Sequence, residues 1–208
     1  MARPSIYDRL NDQNAILSVF KDQVNVLRSE DTLSAIGTYD LDVCSCLLGW
    51  GTTPGSAIVV ARISHVPSKP TSSSRPGSLR STLSTLAYDE HYMSLVRRVI
   101  NTMTSNHELF QLPIVYGIFG QYQDEVLLEH LRERTEKVFN HLNIKLRSSF
   151  YKMGCSDGTQ RSRGESTVVM VQCPGKMLEL YIGNRLAYPA NYSGSLTSIF
   201  DQLGLEQI

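Results

Sequence analysis

Cys44 and His65 are the residues in this chain best suited to covalent chemistry. A cysteine nucleophile needs a base to take its proton and a cation to hold its thiolate, and an imidazole supplies both. Thr38-Tyr-Asp-Leu-Asp-Val-Cys44-Ser-Cys46-Leu-Leu-Gly-Trp50 reads as a strand with an apolar end. A Gly/Pro turn follows at 51–55, and then Ala57-Ile-Val-Val-Ala-Arg-Ile-Ser-His65-Val66 reads as its hairpin partner. The pairing would bring a thiol on one strand towards an imidazole at the end of the next. On one strand Thr38, Asp40, Asp42, Cys44 and Cys46 share parity, so either cysteine could face the same pocket. His65 falls on the parity of Val59, Ala61 and Ile63, the more apolar face, where an isolated histidine also serves as an ordinary structural residue.

Other chemical signals are weaker. Cys44, Cys46, Cys155 and Cys173 form no paired Cys-x-x-Cys pattern, and same-face strand cysteines are better read as packing residues than as metal ligands. No metal and no cofactor is expected. Gly117-Ile-Phe-Gly120, between a strand and a helix, could turn backbone N–H groups towards an anion, but no P-loop or dinucleotide fingerprint accompanies it. His91 and His107 are expected near helix ends in capping or dipole roles. His130 and Asp124-Glu125 fit a solvated helix face.

The elements that must position these residues follow from periodicity. Ile6, Leu10, Leu17, Phe20, Val24 and Leu27 recur at three-to-four spacing behind a Ser5/Asp8 cap, predicting an amphipathic helix over 5–28. Its stripe suits packing on the domain, or alternatively a partner or dimer contact. After the strand pair 36–50 and 57–66, residues 67–84 turn rich in Ser and Pro and predict a flexible loop. Beside His65 that loop would be a lid or a neutral insertion. A helix over 87–105, a buried strand at 112–119, a helix over 123–142 and a strand opening at 142–146 follow. Runs 166–173 and 176–182 around Pro174-Gly175 predict a hairpin, and 195–204 a short helix. This is a mixed sheet with helices against it, of class α+β.

Size and charge bound the function. The 208 residues fit a single domain. Apolar content of 41% supports a core, and 20 basic residues balance 20 acidic ones, so no net field favours nucleic acid or an anionic membrane. No run reaches the roughly 18–20 apolar residues of a membrane helix, and no signal peptide is read at the start. Free thiols and a cytoplasmic location are expected.

The order of elements resembles the bacterial chemoreceptor glutamine deamidases (CheD-like), which share a catalytic core with the cytotoxic necrotizing factor toxins. In that family a strand carries Thr-x-x-x-x-x-Cys, and the next strand ends in His before a proline-containing loop. Here Thr38 precedes Cys44 by six positions, and Ala61-Arg-Ile-Ser-His65-Val-Pro67 is similar to the histidine strand. The helix 87–105, Ile114-Val-Tyr-Gly-Ile-Phe119-Gly120, the helix 123–142, Asn143-Ile-Lys and Val168–Ile182 continue the family's order. The similarity covers about residues 33–183, leaving 1–30 as an N-terminal helix extension, 67–84 as an added loop and 184–208 as a C-terminal segment. Asp42-Val43 stand where the family has Gly-Ser, which keeps Cys46 as a rival nucleophile.

The resemblance implies a mixed β-sandwich core with flanking helices and a Cys44-His65-Thr38 site. It further implies deamidation of a carboxamide, on a protein or a small molecule, through a thioester. A transamidase or acyl transferase using the same sulfur is one alternative. A non-catalytic binding or scaffold protein that keeps the fold is the other.

Overall fold

The computed structural model describes residues 4–41, 44–53, 55–64, 80–122, 125–126, 128–152, 166–172 and 178–188. Its elements are α1 (Ile6–Asp12), β1 (Ile16–Ser18), β2 (Val24–Leu27), β3 (Ala35–Thr38), β4 (Ser45–Trp50), β5 (Ile58–Ile63) and α2 (Arg80–Ser105). They continue with β6 (Ile114–Tyr122), β7 (Glu125–Val126), α3 (Glu129–His141), β8 (Leu146–Lys152), β9 (Val168–Val171), β10 (Glu179–Ile182) and β11 (Arg185–Tyr188). The class is α+β, as the sequence predicts.

The strands form two sheets. One runs β1-β3-β9-β10-β11, with β1 parallel to β3 and the other pairs antiparallel. The other runs β2-β5-β4-β6-β7, with β8 parallel to β6. Alternation along each strand sends side chains to two sides and so builds three apolar layers. Ile36, Val168, Met170, Leu180 and Ile182 of the first sheet meet Cys46, Leu48, Trp50, Val60 and Ile118 of the second between the sheets. The outer face of the second sheet (Leu47, Val59, Ala61, Ile63) packs on Tyr92, Val96 and Val99 of α2 and on Leu131 and Phe139 of α3. The outer face of the first (Ile16, Ala35, Val169, Val171) is covered by Ile6, Tyr7 and Leu10 of α1.

The predicted hairpin 45–50/58–63 is present as β4 and β5, with Ser45 opposite Ile63 and Trp50 opposite Ile58. The helix predicted over 87–105 starts earlier, at Arg80, so residues 80–84 belong to α2 rather than to a loop; residues 65–79 lie outside the described residues. The buried strand at 112–119 is β6, and β9 pairs with β10 as the predicted hairpin. The helix expected over 195–204 lies outside the described residues.

Three expectations are corrected. The helix expected over 5–28 ends at Asp12. Ser5 and Asp8 do form the predicted capping box, with the Asp8 N–H donating to Ser5 Oγ at 3.1 Å and the Ser5 N–H donating to Asp8 Oδ2 at 3.1 Å. Beyond it, Asn14 and Asp22 adopt φ of 52° and 61°, which a helix interior does not hold. The stripe instead serves β1 and β2, and Phe20, its largest member, is left 52% exposed.

The single strand expected over 36–50 is two strands in different sheets. The chain leaves the first sheet after Thr38, passes Asp40 at φ 50° and enters the second at Ser45. The shared parity of Thr38, Asp40, Asp42, Cys44 and Cys46 therefore does not arise from one strand.

The helix expected over 123–142 begins only at Glu129, after β7, with Leu128 in the left-handed region at φ 55°. Gly117 and Gly120 are consequently interior to β6. Gly117 stands opposite Leu47 on one side and Ser148 on the other, so its place is in a sheet ladder rather than in an anion-binding turn.

Candidate functional site

Of the sequence-predicted residues, Thr38 and Cys44 are described, and both stand at the end of the layer between the sheets where β3 ends and β4 begins. Thr38, the last residue of β3, is fully buried opposite Val168. Ile36 two positions back faces the layer between the sheets, and strand alternation sends Thr38 the same way. Among the described residues its Oγ1 has no hydrogen-bond partner. A buried hydroxyl left unpaired costs about 1–3 kcal/mol.

Cys44 stands immediately before β4 and is 4% exposed. Its backbone is fixed on both sides, the N–H donating to the Leu41 carbonyl and the carbonyl accepting the Tyr151 hydroxyl at 2.8 Å. The Cys44 N–H is thus already used and is not open to an oxyanion. Cys44 and Cys46 are both free thiols. Cys155 and Cys173 lie outside the described residues.

The two thiols differ in electrostatics. Burial pushes the Cys44 thiol above its ordinary value; the Arg62 guanidinium, by hydrogen bonding and by charge, and Lys21, by charge, pull it back, while Asp22 opposes them. Cys46 is completely buried in the layer between the sheets, and burial holds its thiol far above the ordinary range with only a Coulombic pull from Arg62. Cys46 is a packing residue that no substrate reaches without opening the core. Of the two rivals, Cys44 is the one placed at the layer's end.

Arg62 is the residue that sequence reasoning passed over. It sits in β5 opposite Cys46, inside the apolar run Ile58-Val-Val-Ala-Arg62-Ile63. Its Nη1 donates to the Tyr39 carbonyl at 2.9 Å and its Nη2 to the Asp40 carbonyl at 2.5 Å. The side chain therefore ties the second sheet to the end of β3 in the first. Its Nε is buried and has no partner among the described residues. A charge inside an otherwise apolar strand was the available sequence signal.

His65 lies outside the described residues, but the residue before it is firmly held. Asp22 accepts the Ser64 N–H at 2.9 Å and the Ser64 hydroxyl at 2.8 Å. His91 Nε2 of α2 lies 3.3 Å from the same carboxylate. Burial raises the Asp22 pKa, but the Ser64 hydrogen bonds and His91 outweigh it and leave the carboxyl below its usual value. His91, in the middle of α2, therefore contacts the segment before β2 rather than capping a helix end. His130 likewise pairs with Asp89 of α2 at 3.2 Å, beside an Arg134–Asp89 ion pair at 2.8 Å. His107 pairs with its neighbour Glu108 on the surface.

Strand β5 ends at Ile63, which faces α2, so strict alternation stops before it can assign His65 to either face of the sheet. Among the described residues no cluster of three or more His, Cys, Asp or Glu side chains is placed to hold a metal. No helix there is long and apolar enough to cross a membrane. Set against protein-family models and curated proteins, the chain matches none.

Proposed function

We propose that this protein is a thiol-dependent amidohydrolase of the glutamine-deamidase type, acting in the cytoplasm on a protein or small-molecule carboxamide. Cys44 is the nucleophile, His65 the proton carrier and Thr38 the group that orients the imidazole. The observation that carries this reading is the Thr38 hydroxyl, fully buried without a partner among the described residues at the same end of the layer as Cys44. In the proposed site the partner assigned to that hydroxyl is the His65 imidazole.

In this mechanism the imidazole takes the Cys44 proton, and the thiolate attacks the carboxamide carbon. The tetrahedral oxyanion collapses, the C–N bond breaks, and ammonia leaves with the proton from the imidazolium. Water then gives a proton to the imidazole and attacks the thioester carbon; breaking of the C–S bond releases the carboxylate and restores the sulfur. An amine in place of water makes the same site a transamidase. Burial raises the Cys44 pKa despite Arg62 and Lys21, so reactivity at neutral pH requires the further cation that His65 provides.

That same burial favours a second reading. A thiol 4% exposed and held in its protonated form also suits a binding or scaffold protein that keeps the fold. Ammonia release from glutamine-containing peptides separates the two. The enzyme predicts release by the wild type and by Cys46→Ala and none by Cys44→Ala. No release by the wild type, or equal release by all three, favours the scaffold.

A further inference from the structure

We infer that Arg62 is a positioning residue for the nucleophile, holding its Nε–H as a fixed donor for the negative sulfur of Cys44; this rests on Cys44 being the reactive cysteine. A guanidinium presents its N–H donors in a rigid plane, so fastening two of its nitrogens fixes the third. Here Nη1 and Nη2 are fastened to the Tyr39 and Asp40 carbonyls at 2.9 and 2.5 Å. Nε is the remaining donor, buried and without a partner among the described residues. A buried donor atom left unused is costly in a merely structural cross-link.

The surroundings restrict where Arg62 can go. Its backbone is held against the segment before β2: Lys21 bridges to it, the Asp22 N–H donates to the Arg62 carbonyl at 2.8 Å, and the Arg62 N–H donates to the Gln23 carbonyl at 3.2 Å. Strand register puts Arg62 opposite Cys46, on the side facing the first sheet, where Cys44 is also packed. Asp22, the acidic residue of that segment, is engaged by Ser64 and His91. When the Cys44 proton passes to the base, Nε–H becomes the donor for the negative sulfur and the guanidinium its neighbouring cation. The guanidinium does not itself accept a proton, so its part is electrostatic.

The test is site-resolved alkylation of Cys44 across pH, read by mass spectrometry, in wild type, Arg62→Gln and Arg62→Lys, each checked for folding by circular dichroism. An opposite charge at close range shifts a pKa by about 1–3 units, so Arg62→Gln should move the Cys44 labelling midpoint upward by at least about one unit, or roughly tenfold in rate at neutral pH. Arg62→Lys keeps the charge but cannot hold both carbonyls and present a third donor, and should shift the midpoint by a smaller amount. A labelling curve that coincides with the wild type in either folded variant overturns the assignment. Ammonia release by the wild type is measured alongside. Absence of release with an Arg62-dependent midpoint would refute the deamidase and leave the Arg62 role standing. Release with an Arg62-independent midpoint would do the reverse.

Discussion

The two ends of the layer between the sheets are built from different materials. At one end Trp50 stacks on Tyr116 with centroids 5.7 Å apart, and Tyr188 meets Trp50 edge-on at 5.1 Å. Arg147 lies over the Tyr116 ring, so even the cation there is used on an aromatic face. At the other end stand Thr38, Cys44 and Arg62, and two of their buried polar atoms lack partners among the described residues. A fold that closes one end with aromatic packing has the means to close the other. Polar groups kept there at an energetic cost point to a use other than stability.

The contrast can be broken from either side. The largest effect is expected from Cys44→Ala, which should reduce ammonia release by more than about 1000-fold, over 4 kcal/mol in barrier, while the far-ultraviolet spectrum stays unchanged. At the aromatic end Trp50→Ala should lower unfolding free energy by about 3–5 kcal/mol in a denaturant titration. It should leave turnover per folded molecule close to that of the wild type. Equal loss of turnover per folded molecule in both variants would erase the distinction between the ends.

Thr38→Val sharpens the comparison, because valine keeps the shape and removes the unpartnered hydroxyl. On a purely structural role stability holds or rises. The mechanism adds a loss of about 10- to 100-fold in kcat, the range of general acid–base assistance. Unchanged kcat in the folded variant would remove Thr38 from the site.

The smallest effect concerns Asp22. Its folded pKa lies below the ordinary 3.8, so the group contributes stability above that value and loses it as pH falls through the folded pKa. Asp22→Asn should flatten the acid limb of the stability curve. With the carboxylate partly exposed, the change is a fraction of a kcal/mol, about that of a solvent-screened pair. An acid limb that is the same in both proteins would show that the Ser64 and His91 contacts do not stabilise the fold.

Strong local patterns were readable in the sequence. The β4–β5 hairpin, the strand at β6 and the β9–β10 pair follow from short apolar runs separated by turn residues, and α2 follows from Tyr92, Val96 and Val99 on one face. Features set by single backbone turns were not. Asp40 at φ 50° splits what reads as one strand into members of two sheets. Asn14 and Asp22, also at positive φ, interrupt an apolar spacing that imitates a helix. These turns depend on tertiary packing, which composition and period do not carry.

The site was legible in part for the same reason. Cys44 was singled out by residue type and Thr38 by the family resemblance, and the structure brings them to one end of the layer by way of the turn at Asp40 rather than along one strand. The sequence named Cys44 and kept Cys46 as its rival; that Cys46 lies fully buried in mid-layer comes from the structure. Asp22 gave no sequence signal at all, since its partners Ser64 and His91 are distant along the chain.

The dependence of Cys44 reactivity on His65 tests the central claim most directly. Labelled with a thiol-directed probe across pH, the folded wild type should modify Cys44 selectively, with a midpoint well below the roughly 8.5 of a free thiol. His65→Ala should move that midpoint above it. Slow labelling of Cys44 at a high midpoint, unaffected by removing His65, would contradict the account and leave Cys44 as a packing residue.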